Sequence, residues 1–122
     1  MFLHLAHTKL DVYQFSQELI LECYRITKLF PSDEKYAMVQ QIRRAALSVH
    51  LNIAEGSSRK SNTERTRYFE IARGSVVEID TAIGIAYKLS YVDMEQLQQL
   101  GNLIIKNFKL LSGIVNKKTT HN

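Results

Sequence analysis

The sequence predicts an all-α protein, an antiparallel up-down-up-down four-helix bundle. Three observations predict it. Apolar residues recur at three- and four-residue steps in four stretches, helix breakers are scarce (one Pro and five Gly in 122 residues), and the connections between the stretches are short. Steps of three and four stack side chains along one helix face. Few breakers favour long helices over many short strands, and short connections make successive helices antiparallel neighbours.

The first helix is expected over about 11–30, with Val12, Phe15, Leu19, Cys23, Ile26 and Phe30 as its stripe and Pro31-Ser32 as its stop. The second, over about 33–55, opens with Asp33 and Glu34, where a helix N-terminus favours negative charge. It buries Met38, Ile42, Ala45, Val49 and Ile53, and Gly56 stands where a left-handed residue can close it. The third, over about 62–90, begins at the capping box Ser61-Asn62-Thr63-Glu64 and carries Phe69, Ala72, Val76, Ile79, Ile83 and Ala86. The fourth, over about 94–116, starts from Asp93 with Gln96 in the reciprocal position. It presents Leu97, Leu100, Ile104, Phe108, Leu111 and Val115, before a basic tail from Asn116 to Asn122 that is expected to fray.

One domain over residues 1–122 accounts for this length, and 45% hydrophobic with 23% charged residues is ordinary for a soluble globular chain. A single cysteine, Cys23, excludes an intrachain disulfide framework, and its place on the first apolar stripe makes it a small buried hydrophobe. Met1 to His7 lacks the basic start and the apolar length of a secretion signal, and no run reaches the ~20 apolar residues of a membrane span. A cytoplasmic protein without membrane partners is expected.

The net charge of +4 is local. Residues 41–73 hold seven basic side chains (Arg43, Arg44, Arg59, Lys60, Arg65, Arg67, Arg73) against Glu55, Glu64 and Glu70, and the rest of the chain balances. A localised surplus points to an anionic partner. Apolar residues also lie off the stripes. At ~100° per residue, Val77 and Ile85 oppose the core face of the third helix, and Tyr13, Ile20, Leu21 and Tyr24 stray from that of the first. Contiguous apolar surface of this kind marks association, so a homo-oligomer interface is expected there.

Several chemistries are absent. His4, His7, His50 and His121 have no thiol or carboxylate at ligand spacing, and neither HExxH, CxxC nor paired Glu-x-x-His motifs occur, so neither metal nor cofactor is expected. Gly56-Ser57-Ser58-Arg59-Lys60-Ser61 ends like a phosphate loop but lacks its second glycine and a preceding strand, and is read as a helix–helix turn. On the second helix, Gln41, Arg44, Ser48, Asn52 and Glu55 project within roughly an 80° sector beside the stripe. Ser75 and Glu78 of the third helix are their expected partners in a hydrogen-bonded seam that fixes register. A lone Glu55 near Arg44 and Ser48 is thin support for acid–base catalysis, and the chain is read as non-enzymatic.

The stretch Gln41-Ile42-Arg43-Arg44-Ala45-Ala46-Leu47-Ser48-Val49-His50-Leu51-Asn52-Ile53-Ala54-Glu55-Gly56, followed by Ser61, Phe69, Ala72, Ser75 and Glu78, resembles the bacterial four-helix-bundle family encoded in intervening sequences of 23S ribosomal RNA genes. The similarity runs from about Lys9 to Lys117, and NIAEG after QxRRAxxS is its specific signature; His50 stands where many members have proline. The resemblance implies a four-helix bundle in a ring-like homo-oligomer, commonly a pentamer. It also implies kinship with the accessory variability determinant of diversity-generating retroelements, a basic barrel that binds its reverse transcriptase and nucleic acid. Family fold is stronger evidence than family function.

Two functions compete. The first is an oligomeric accessory protein that contacts RNA or DNA through Arg59, Lys60, Arg65 and Arg67, with Arg43 and Arg44 as further contacts or members of the seam. The second is a scaffold whose partner is a protein, such as a reverse transcriptase, or a purely structural oligomer, motivated by the stray apolar residues.

Overall fold

Asp11 opens the first helix, α1 (Asp11–Thr27), and the chain then passes through a 3-10 turn, Ser32–Glu34, into α2 (Met38–Ser57), α3 (Asn62–Lys88) and α4 (Met94–Thr120). A short 3-10 segment, Ala6–Lys9, precedes α1. The computed structural model describes residues 1–120, apart from the side chains of Thr8, Lys9 and residues 117–120. His121 and Asn122 lie outside the described residues. α4 continues helical through Thr120, past Asn116, where the tail was expected to fray.

Each helix packs on two others: α1 on α2 and α4, α3 on α2 and α4, with no diagonal contact among the described residues. Cross-links show the directions. Ser16 meets His50 and Thr27 meets Arg43 between α1 and α2, while Gln41 meets Glu78 and Ser48 meets Ser75 between α2 and α3. Arg73 reaches Ser112 between α3 and α4, and Asn107 reaches Phe15 between α4 and α1. Rising numbers on one helix meet falling numbers on the next, so the four-helix bundle expected from periodicity is the fold observed, and it is antiparallel throughout.

Leu19, Cys23 and Ile26, Ile42, Val49 and Ile53, Val76 and Ile79, and Leu100 and Leu111 fill the axis, all essentially without exposure. Burying each of these aliphatic side chains contributes about 1.5–3 kcal/mol relative to leaving it in water. The Cys23 thiol is free, and burial, with a smaller contribution from the Glu22 carboxylate, pushes it up to about 12. Phe108 is not part of this core: it is 40% exposed, and Asn107 takes the inward position, with Nδ2 donating to the Phe15 and Leu103 carbonyls at 3.1 and 2.8 Å.

The helix ends differ from expectation in three places. α2 begins at Met38, not at Asp33, because Glu34 is occupied elsewhere. Its Oε2 accepts from the Tyr91 hydroxyl (2.7 Å) while Oε1 faces the Met38 amide (3.4 Å), so it caps a later start. α1 ends at Thr27, whose hydroxyl donates to the Cys23 carbonyl (2.7 Å), and Phe30 packs back into the core from the turn that follows. Gly56 is a helical residue of α2, and no glycine in the described chain has positive φ. The left-handed residue is Ser90 (φ 64°), after α3. There Tyr91 N–H donates to the Ala86 carbonyl and Ser90 N–H to that of Tyr87, both at 3.0 Å, the paired bonds of a Schellman closure. The N-termini of α3 and α4 carry side-chain caps where expected. At α3 one half of the capping box forms, Ser61 Oγ accepting from Glu64 N–H (3.1 Å), and at α4 Asp93 and Gln96 exchange side-chain bonds with each other's amides at 2.7 and 2.9 Å.

Candidate nucleic-acid interface

The α2–α3 connection is built by its arginines. α2 ends with free carbonyls, which every helix C-terminus must satisfy. Arg65, one turn into α3, points one guanidinium nitrogen at the Ser57 and Arg59 carbonyls, at 3.1 and 3.2 Å. Arg59 folds back on Glu55 in an ion pair, bonds the Tyr68 hydroxyl at 3.1 Å and lies 5.1 Å from the Tyr68 ring centroid. Tyr68, then Glu55, hold its guanidinium above the usual range, while its Nε is buried without a partner. Gly56 allows the approach: a Cβ there would stand 2.9 Å from Tyr68 Cβ and 3.3 Å from the Arg65 carbonyl.

Of the six basic residues expected to touch phosphate, Arg59 and Arg65 are therefore spent largely on the connection. Arg43 is spent on the α1–α2 seam, where Nε donates to Thr27 Oγ1 (2.9 Å) and the guanidinium lies 4.3 Å from the Tyr24 ring centroid. Lys60 and Arg67 are exposed at the α2–α3 end with no side-chain partner, and Arg44 is exposed higher on α2. Among the described residues of the α2–α3 connection, Lys60 and Arg67 are thus the free cations. Sequence reasoning could have found the capping arginine, because Arg65 falls just after the four-residue turn that its fork closes.

The polar seam forms in part. Asn52 Nδ2 donates to the Ser48 carbonyl (2.8 Å) and lies 3.1 Å from Ser48 Oγ, and Ser75 Oγ donates to Ser48 Oγ (3.0 Å) across the helices. Gln41 Nε2 donates to Glu78 Oε2 at 2.6 Å on the exposed edge. Glu55 is not in the seam: it faces the connection and pairs with Arg59 rather than with Arg44 or Ser48. Among the described residues, no three His, Cys, Asp or Glu side chains gather as metal ligands, and no helix is long and apolar enough to cross a membrane.

The stray apolar residues divide. Val77 and Ile85 are each 48% exposed, and Leu21 and Tyr24 are also exposed. Tyr13 and Ile20 instead pack against the core, so they do not form a free apolar face. Tyr13 is clamped between two histidines: His7 meets it edge-on with centroids 5.2 Å apart, and His50 lies 4.3 Å away. Ser16 donates to the Tyr13 carbonyl (2.8 Å) and lies 2.7 Å from His50 Nδ1, so with its one proton given away it accepts from that nitrogen. Burial, and then the nearby His7, lower the His50 pKa.

The profile of a family described as 23S rRNA-intervening sequence protein matches residues 8–113. A crystal structure from Bacteroides thetaiotaomicron, described as a protein with unknown function from the S23 ribosomal protein family, superposes with a TM-score of 0.78. The overlap covers 85% of this chain and 97% of that one at 24% identity, a likeness of fold. No protein of curated function matches the sequence.

Proposed function

The chain belongs to the 23S rRNA-intervening sequence protein family, and from that premise we propose that it is a non-enzymatic, oligomeric accessory protein of the cytoplasm that contacts RNA or DNA at the end of the bundle where α2 meets α3. The observation that carries the reading is the pair Lys60 and Arg67, exposed and unpartnered beside a connection that Arg59 and Arg65 have already stiffened. Ammonium and guanidinium groups left free on a rigid end suit phosphate oxygens, and such contacts hold a nucleic acid without reading its sequence. Arg44 adds a cation higher on α2.

Self-association is supported by α3. Val77 and Ile85 stand exposed on its outer side, and a Cβ at Gly74 or Gly84 beside them would meet, beyond the adjoining backbone of α3 itself, no atom of the described chain within 4 Å. A helix-interior glycine costs roughly 0.5–1 kcal/mol against alanine, which is uncompensated within one subunit. A ring such as a pentamer is the form that the resemblance favours.

The test is titration of structured RNA and duplex DNA with wild type and with Lys60→Gln/Arg67→Gln at several salt concentrations. Wild type binds with affinity that falls steeply with salt, and the double variant lowers the slope by about two. Blank titrations of both nucleic acids at tens of micromolar protein overturn the reading. The exposed Leu21, Tyr24, Val77 and Ile85 favour a second reading, a scaffold for a protein partner such as a reverse transcriptase. Recovery of a partner after nuclease treatment, together with blank titrations, selects it.

A further inference from the structure

α4 differs from the other helices in what it leaves out. After Glu95 the chain contains no Asp or Glu, and its charged residues are Lys106, Lys109, Lys117 and Lys118. The outer surfaces of α1 and α3 mix both signs: α1 exposes Asp11, Glu18 and Arg25, and α3 exposes Glu64, Arg67, Glu70 and Lys88. At ~100° per residue, Gln98, Asn102, Lys106, Lys109 and Asn116 fall within a sector roughly 80° wide, turned away from the core positions Leu100 and Leu111. All five are exposed. Lys106 lies 5.2 Å from the Phe15 ring centroid, and the other four are engaged by no other group among the described residues.

Lysine ammonium groups and carboxamide N–H₂ groups donate to phosphate oxygens, and the face carries no carboxylate of α4 between Gln98 and Asn116, although Asp93 and Glu95 border its Gln98 end. Compensation of the helix dipole explains cations in the last turn of a helix. It does not account for Lys106 and Lys109, which lie about three turns or more before Thr120, because the effect fades within the last turn. The bonds from Asn107 to Phe15 and from Arg73 to Ser112 set Lys106, Lys109 and Asn116 in the same half of the bundle as the α2–α3 connection, with Gln98 and Asn102 running on into the other half. The sector from Gln98 to Asn116 is about 27 Å long, on the order of eight phosphate steps of a duplex strand. The exposed Phe108 of this stretch lies about 80° to the side of the sector, which itself holds no aromatic residue, so the sector suits a paired backbone rather than stacked single-stranded bases.

We infer that the exposed face of α4 from Gln98 to Asn116 is a second nucleic-acid contact surface, which seats the phosphate backbone of a duplex alongside the basic end. It rests on the nucleic-acid role proposed above and extends it to a helix outside the basic segment. The experiment is fluorescence anisotropy of a 20-base-pair RNA duplex, its DNA counterpart and a single strand of equal length. The proteins are wild type, Lys106→Gln/Lys109→Gln, Lys106→Arg/Lys109→Arg and Lys60→Gln/Arg67→Gln, each with its thermal melt.

The α4 glutamine pair melts like wild type, lowers the salt slope for duplex by about two, and weakens duplex more than single strand. The arginine pair retains binding, and comparison of the two duplex arms tells RNA from DNA. If the glutamine pair binds duplex like wild type while Lys60→Gln/Arg67→Gln is impaired, the α4 inference falls and the basic end stands. Wild type that binds no nucleic acid overturns both. Equal loss of binding to vesicles rich in anionic lipid, with duplex binding unchanged, reassigns the surface to a membrane and overturns it.

Discussion

Two residues carry conformational and electrostatic tension that single substitutions expose. Ser90 holds the left-handed conformation that ends α3, a position that glycine fills without a Cβ penalty. Ser90→Gly therefore raises the unfolding free energy by about 1 kcal/mol, read from denaturant melts; a decrease would mean that the serine hydroxyl contributes more than the backbone strain costs. His50 is the second. Its pKa in the folded chain lies below that of an unfolded histidine, because burial and His7 disfavour the imidazolium. The unfolded chain thus takes up a proton first as pH falls. The contribution from neutral His50 is complete above the ordinary histidine range and is lost as pH drops through 6.5 toward the folded pKa. Stability falls between pH 7 and 5, and in His50→Gln that slope is shallower; equal slopes in the two proteins would place the pH dependence elsewhere.

At the level of helices, what the sequence made legible was what depends on period. Three- and four-residue spacing places Leu19, Ile53, Val76 and Leu111 inward regardless of their neighbours, and both side-chain N-caps follow from short local patterns. What it hid depends on partners distant in sequence. Glu34 starts α2 late because Tyr91, 57 residues on, holds its carboxylate. Arg65 and Arg59 look like free charge until α2 and α3 close around the turn. Gly56 reads as a helix stop, whereas its missing side chain admits Tyr68. Gly56→Ala consequently costs about 1–3 kcal/mol by forcing α2 from α3, and a calorimetric melt shows a lower transition temperature. An unchanged melt would mean that Tyr68 gives way without strain.

The whole bundle is electrically lopsided in a way that no single segment shows. The half built from residues 1–18, 48–74 and 106–120 carries ten Lys and Arg against five Asp and Glu; the half built from 19–47 and 75–105 carries six against seven. Antiparallel topology does this, by returning the lysine-bearing end of α4 to the end where α2 meets α3. Association belongs to this scale as well. If α3 packs on a sister subunit across Gly74 and Gly84, Gly84→Ala stabilises the isolated chain by roughly 0.5–1 kcal/mol yet weakens the assembly. Light scattering at graded concentrations reads the second effect and denaturant melts at low concentration the first. An assembly unaffected by the added methyl group would move the interface off α3.

The sealed thiol of Cys23 has a practical corollary. A sulfur whose proton leaves only near pH 12, walled in by four rods, stays unreactive toward alkylating reagents while the rods hold together. Its labelling rate is then a built-in clock for the excursions in which α1 swings out, and it needs no engineered probe.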